Sequence, residues 1–319
     1  MTDATVLPRM DPEMQAALNK AAELAAQYGP PGADVAGMRA FQAKVRTYWN
    51  EGGPEMAEER AATIPGPYRQ IPVMIYRPSK ATTLPAFVYF HGGGFRSGNE
   101  QSNARQMREL AALWGGVAIS ADYAHIPEQV FPAAVEEGAA VLRWLHENGA
   151  RWGVDGNRLA FGGTSAGGSV AMGSAIHLGG TKTGYLKAGA TIVAVLDPDI
   201  DTESMRTFHT GFYPTRADVD ATNKAYVPDA RLRSDPRVNC VSVDPAIVPP
   251  LFLAAAELDT LRDSSVKMAR MLAAAGRPHR LKIYPGMTHM FSSYSRTVSR
   301  ARECWADIGA FLAEHVPAR

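Results

Sequence analysis

Gly163-Thr164-Ser165-Ala166-Gly167 constrains this chain more than any other feature. It lies between the apolar run Leu159-Ala160-Phe161 and a stretch of small residues from Gly168 to Ile176. A glycine-bracketed serine at the point where a strand becomes a helix sits on a strained turn, a nucleophile elbow. Its neighbours must be small because backbone and helix pass close together there. Gly163, Ala166, Gly167 and Gly168 supply that smallness. The turn holds the Ser165 hydroxyl clear of the sheet, with a helix N-terminus behind it that favours developing negative charge. The pattern is short enough to arise as an ordinary Gly/Ser turn, so its meaning depends on what accompanies it.

A second motif accompanies it. His91-Gly92-Gly93-Gly94-Phe95 follows Ala86-Phe87-Val88-Tyr89-Phe90, a β-rich apolar run that reads as a buried strand. Consecutive glycines after a strand end leave backbone N–H groups free to face a ligand. Together with the N–H of Ala166 they would stabilise the oxyanion of a tetrahedral intermediate. A phosphate cradle would instead want Lys-Ser/Thr after the glycines, and Phe95-Arg96-Ser97 does not provide it.

An acid and a base should then follow the serine, in that order. Pro250 to Ala256 is strand-like and leads into Glu257-Leu258-Asp259-Thr260-Leu261-Arg262-Asp263; Leu281 to Tyr284 is another short strand, leading into Pro285-Gly286-Met287-Thr288-His289-Met290-Phe291. His289 would take the Ser165 proton during attack and return it to the leaving group, and Asp259 would fix the imidazole tautomer. Asp263 and Glu257 compete for the role of acid. Asp263 is expected instead to pair with Arg262 or to cap a helix beginning near Ser264.

These segments together resemble the hormone-sensitive-lipase-like α/β-hydrolases, the bacterial family IV esterases. The likeness rests on His91-Gly92-Gly93-Gly94, Gly163 to Gly168, Asp259 to Asp263 and Gly286 to Phe291. Asp122-Tyr123-Ala124-His125-Ile126-Pro127-Glu128 with Phe131-Pro132-Ala133-Ala134 adds to it, resembling the family's Asp-Tyr-Arg-Leu-Ala-Pro-Glu stretch. It runs from about Ile71 to the C-terminus. The resemblance implies Ser165 as nucleophile, Asp259 as acid and His289 as base, with Gly93, Gly94 and Ala166 as oxyanion donors. His91 and Gly92 would orient that loop. It also implies short acyl chains and allows a homodimer. This chain departs from the pattern in four places: Thr164 for Asp (as in a Thr-containing branch), Thr260 for Pro, Ala124-His125-Ile126 for Arg-Leu-Ala, and Met290 for Gly.

Strand-like and helix-like runs alternate from Ile71 onward, which predicts a mostly parallel sheet with helices on both faces, an α/β-hydrolase fold with a helical cap. The expected strands are Ile71–Tyr76, Phe87–Phe90, Val117–Ala121, Leu159–Phe161, Ala190–Leu196, Leu251–Ala256 and Leu281–Tyr284. Residues 1–60 read as an N-terminal cap segment, with helices over Asp11–Tyr28 (apolar face Met14, Leu18, Ala21, Ala22, Ala25) and Val35–Asn50; 61–319 form the catalytic domain. Asp197 to Asp244 is too long for a crossover and reads as a second cap insertion, at about 198–244. Phe95, Phe208, Phe212, Tyr213 and Met290 are candidate pocket residues. Met290 would narrow the pocket, and the cap aromatics could equally form the cap's own core.

The remaining composition excludes more than it assigns. The formal charge of the 319 residues is +1, giving no basic surplus for nucleic acid. No apolar run approaches the ~18 residues of a membrane span, and Met1 to Glu13 lacks the apolar core of a signal peptide. Two cysteines, Cys240 and Cys304, are too few for a disulfide framework, so a reduced cytoplasmic setting is expected, with Cys304 a small buried hydrophobe. His125, His146, His177, His209, His279 and His315 show no paired metal spacing; no metal and no cofactor is expected. Adjacent Glu136 and Glu137 read as solvated surface. The expected activity is hydrolysis of a small carboxylic ester through an acyl-enzyme, rising with pH as His289 loses its proton. An amide, lactone or carbamate could use the same residues. A hydrolase-fold receptor that binds without turnover is disfavoured, because Ser165, Asp259 and His289 are all present.

Overall fold

The computed structural model describes residues 10–80 and 83–318. Eight strands form a single sheet: β1 (Glu58–Pro65), β2 (Gln70–Arg77), β3 (Leu84–Phe90), β4 (Val117–Ala121), β5 (Val154–Thr164), β6 (Leu186–Ile192), β7 (Leu251–Leu258) and β8 (His279–Thr288). Their spatial order is β1-β2-β4-β3-β5-β6-β7-β8. The β1–β2 and β2–β4 pairs are antiparallel, and every pair from β4 to β8 is parallel. The α-helices among the described residues are α1 (Pro12–Gln27), α2 (Val35–Asn50), α3 (Ala104–Trp114), α4 (Ala133–Asn148), α5 (Ala166–Leu178), α6 (Glu203–Thr207), α7 (Arg216–Tyr226), α8 (Arg262–Ala274) and α9 (Ser299–His315). This is the predicted α/β-hydrolase architecture.

Strand side chains alternate between faces, and the core divides accordingly. Ala86, Val88 and Phe90 of β3, with Leu251 and Leu253 of β7, pack against Val135, Leu142, Val170 and Met268 from α4, α5 and α8. Phe87, Tyr89, Phe252 and Ala254 point the other way, onto Met107 and Leu110 of α3 and Trp305 and Ile308 of α9. Both faces are covered, which is why the central strands read as unbroken apolar runs.

Several expectations need correction. β1 went unread because Glu58-Glu59-Arg60 carries charge, and the strand's burial alternates only weakly at this sheet edge. It starts inside the segment expected to be cap. β6 begins and ends four residues earlier than expected, since Val193-Ala194-Val195-Leu196 is apolar yet already beyond the strand. On α1 the buried residues are Met14, Ala17 and Leu24, while Ala22 faces outward. Asp263 does pair with Arg262 (3.1 Å), but α8 starts at Arg262, so it caps a different helix. Its carboxylate accepts from the Ser204 N–H (2.8 Å) in the first turn of α6. Glu137 is fully buried rather than solvated, bound to Arg69 at 3.1 Å, and Glu136 accepts from the Tyr68 hydroxyl. The signal-peptide reading rested mostly on residues 1–9, outside the described residues. No described helix is long and apolar enough to cross a membrane.

Candidate active site

One address recurs: the first residue after the C-terminal end of a strand. His91 follows β3, Asp122 follows β4, Ser165 follows β5, Asp259 follows β7 and His289 follows β8. In a parallel sheet those ends line up on one edge, where ligand crevices form in open α/β folds.

Ser165 has φ 56° and ψ −125°, a conformation a non-glycine residue adopts only when its surroundings enforce it. Its N–H donates to the Ile192 carbonyl at 2.8 Å, and its carbonyl accepts from the Gly168 N–H at 2.9 Å. The tightness behind it is visible at Gly167, where a Cβ would lie 2.0 Å from the Phe90 carbonyl oxygen. The Ser165 hydroxyl lies 2.8 Å from His289 Nε2, and His289 Nδ1 lies 2.9 Å from Asp259 Oδ2. The other Asp259 oxygen accepts from the Leu261 N–H at 3.0 Å. Asp259 and His289 are buried and Ser165 is partly open, so the hydroxyl is the member of the chain that meets solvent. With Nδ1–H donated to the carboxylate, Nε2 presents its lone pair to the hydroxyl and can accept a proton from it. Glu257, the competing acid, is engaged elsewhere: it accepts from the Gly286 N–H at 2.8 Å.

The glycine loop runs beside the serine. A Cβ on Gly92 would stand 3.5 Å from Ser165 Cβ. Gly93 has φ 142° and no room for a side chain, since a Cβ would meet Ser97 O at 2.0 Å. Its carbonyl accepts from Arg96 N–H, Ser97 N–H and Ser97 Oγ at 3.1–3.2 Å, which fixes the turn. Ala166 opens α5, so its N–H has no partner within the helix. His91 is buried; its ring stacks on Tyr123 (4.6 Å between centroids) and its Nδ1 lies 3.1 Å from the Gly92 carbonyl.

The expected pocket residues separate into different environments. Tyr213 lies 6.4 Å, ring to ring, from His289 and is 64% exposed, so this cap side chain meets the triad from the solvent side. Phe95 is buried and stacked flat on Tyr226 at 3.7 Å, joining the glycine loop to α7; both line a small cleft with Ser169 and Val195. Phe208 is buried, edge-on to Phe212 (5.3 Å) and covered by the Arg262 guanidinium, which makes this pair cap packing rather than open wall. Met290, beside His289 and partly exposed, packs against the α3/α9 side of the core.

Two contributors were missed in the sequence. Arg46 on α2 donates from Nη2 to the Gly92 carbonyl at 3.3 Å, and burial pushes its guanidinium below its ordinary range. Arg39, about two turns earlier, donates to the Arg96 carbonyl at 2.7 Å and pairs with Glu128 at 2.8 Å. That hydrogen bond holds the Glu128 carboxyl down at about 2. Both arginines carry α2 across to the glycine loop; amphipathic periodicity marks a helix face but not what a polar residue on it reaches. His125 shows no metal spacing in the sequence, yet it lies beside His91 and Asp122, and burial next to His91 pushes its imidazole down to about 3.

Fold and strand-end geometry together define a hydrolase of the α/β class, and comparison with known proteins narrows this. A family profile described as the alpha/beta hydrolase fold matches residues 87–293. Acetyl esterases of Salmonella dublin and Salmonella enteritidis are 31% identical over 313 residues, spanning 96% of this chain and 95% of theirs. Among solved structures, an ester hydrolase from the metagenome of Lake Arreo, complexed with a bipyridine phosphonate derivative, superposes with TM-score 0.87. It is 30% identical, and the match covers 96% of this chain and 98% of that one. An esterase of Pyrobaculum calidifontis gives TM-score 0.86 at 29% identity over the same shares. The chain belongs to the alpha/beta hydrolase family, within its hormone-sensitive-lipase-like group. It is an enzyme, a carboxylic-ester hydrolase.

Proposed function

We propose that this enzyme hydrolyses esters of short acyl chains by a serine acyl-enzyme mechanism. One observation carries the reading: a continuous hydrogen-bonded path from the Ser165 hydroxyl through His289 to the buried Asp259 carboxylate, at 2.8 and 2.9 Å. His289 takes the hydroxyl proton as Ser165 Oγ attacks the ester carbonyl. The carbonyl oxygen becomes an oxyanion held by the N–H groups of Gly93, Gly94 and Ala166. Collapse expels the alcohol, which receives the proton from His289. Water then enters and attacks the acyl carbon as His289 takes its proton; the bond to Ser165 Oγ breaks, the serine recovers that proton from His289, and the acid is released. Each oxyanion donor is expected to contribute ~100- to 1000-fold to turnover.

Support for a short acyl group comes from the cover over the site. Tyr213 from the insertion stands near His289, while α2 reaches the glycine loop through Arg39 and Arg46. Residues 10–57 and the 198–244 insertion would together form the cap. The acetyl esterases among its relatives are consistent with this reading.

The test is hydrolysis of p-nitrophenyl esters from acetate to palmitate by wild type and Ser165→Ala. Turnover should peak at two to four carbons (~10-fold or more above palmitate) and vanish in the variant. Undiminished activity in Ser165→Ala would overturn the mechanism; a peak at long chains would overturn the substrate class.

A further inference from the structure

His91, Asp122 and His125 come together from the ends of two neighbouring strands, and their ring and carboxylate atoms converge. His91 Nε2 lies 3.5 Å from Asp122 Oδ1, His125 Nε2 lies 3.6 Å from the same oxygen, and all three atoms fall within 4.8 Å of one another. All three are buried and none has a hydrogen-bond partner. Three buried polar atoms grouped without hydrogen-bond partners are an expensive arrangement unless something sits among them.

The contacts of the His91 ring sharpen this. A carbonyl can only accept, so His91 Nδ1, 3.1 Å from Gly92 O, must be the protonated nitrogen. Nε2 is then the ring atom left to face the Asp122 carboxylate, 3.5 Å away. Arg69 is shared between Asp122 (3.2 Å) and the buried Glu137 (3.1 Å).

We propose that His91, Asp122 and His125 form a binding site for a divalent transition-metal ion of the zinc type, a two-histidine, one-carboxylate site distinct from the triad. In a tetrahedral zinc sphere with bonds of about 2.0–2.1 Å, adjacent donors stand ~3.3–3.4 Å apart. The two short spacings are already close to that, and modest closure of the histidines supplies the third. The outer partners are in place: His91 donates its remaining ring N–H to a backbone carbonyl, and Arg69 holds the second oxygen of Asp122. The side chains of Asp122 and His125 are 16% and 10% exposed, which gives the ion a way in. The site also gives meaning to His125, where the family stretch carries a leucine. Because His91 opens the glycine loop, the ion ties that loop to the end of β4 and fixes the tautomer that holds the Gly92 carbonyl.

Metal-stripped full-length protein should be titrated calorimetrically with zinc chloride, in parallel with His125→Leu and with His209→Ala as a surface-histidine control. Cobalt(II) absorption in the visible range reports the ligand set independently. The expected result is one ion per chain for wild type and His209→Ala, an affinity lowered on the order of 100-fold in His125→Leu, and a cobalt spectrum lost with it. Should His125→Leu fail to fold, Asp122→Asn serves in its place, and the wild-type titration stands alone. No stoichiometric uptake by wild type, as when a water molecule rather than a cation fills the site, would overturn the proposal; so would unchanged affinity in His125→Leu.

Discussion

The elbow and the cap insertion are built on opposite terms. Around Ser165 the backbone is so closely packed that a single methyl at Gly167 has nowhere to go, and the residue itself is held at positive φ by the strand and helix on either side. In the insertion, α6 and α7 are short, and their apolar cluster is small: Met205 and Val219 with Leu261 of the core, and Val195 and Ile200 alongside. Tyr213 projects from that segment largely in solvent. Atomic placement of the reacting groups depends on the dense region. What may enter depends on the loose one, which can change without disturbing the sheet.

Four perturbations would break or sharpen that contrast. Asp259→Asn removes the carboxylate from the densest part of the site and should lower kcat ~10⁴-fold while the fold persists, checked by kinetics beside far-ultraviolet circular dichroism. A loss below tenfold would mean that His289 is oriented by something else. Gly167→Ala forces a Cβ toward the Phe90 carbonyl and should destabilise by about 3–5 kcal/mol, read from urea denaturation. Stability within 1 kcal/mol of wild type would show that the elbow is more pliant than its packing implies.

Effects in the cap should be smaller. Tyr213→Ala is expected to shift the acyl-length preference and change KM about three- to tenfold, with stability within about 0.5 kcal/mol of wild type, since the side chain is mostly exposed. Last comes the tie between α2 and the loop after β4. The Glu128 carboxyl is held at about 2 by Arg39, below its ordinary value in an unfolded chain. The contribution is therefore complete above about pH 4.5 and is lost as pH falls toward 2. Both partners are partly exposed, so it amounts to about 0.5 kcal/mol or less. Limited proteolysis of α2 should accelerate slightly over that range, and Glu128→Gln should show the faster rate already at pH 7.

The dense region was also the more legible one in the sequence. Ser165, Asp259 and His289 each follow an apolar run, and a strand that ends in a glycine-rich or acidic turn announces itself locally. The charged strand β1 did not, because an edge strand has little apolar surface to display. Nor did the contacts of α2: Arg46 looks like any solvent-facing arginine until the fold sets it on Gly92. The same holds for Glu137, whose partner Arg69 is 68 residues away. Long-range pairing of polar groups leaves no periodicity, so such residues come into view only in three dimensions. Phe208 shows in the sequence only as an aromatic of the insertion; its packing on Phe212 and Arg262 is visible only in the fold.

The catalytic groups are scattered widely along the chain: 124 residues separate Ser165 from His289. No hairpin or helix pair can bring them together on its own; the site comes into being only when β5, β7 and β8 lie side by side with β6 threaded between them. Pairings of such long range form late and slowly. Recovery of turnover after dilution from denaturant should therefore lag behind recovery of helical signal, which makes catalysis itself a clock for completion of the sheet.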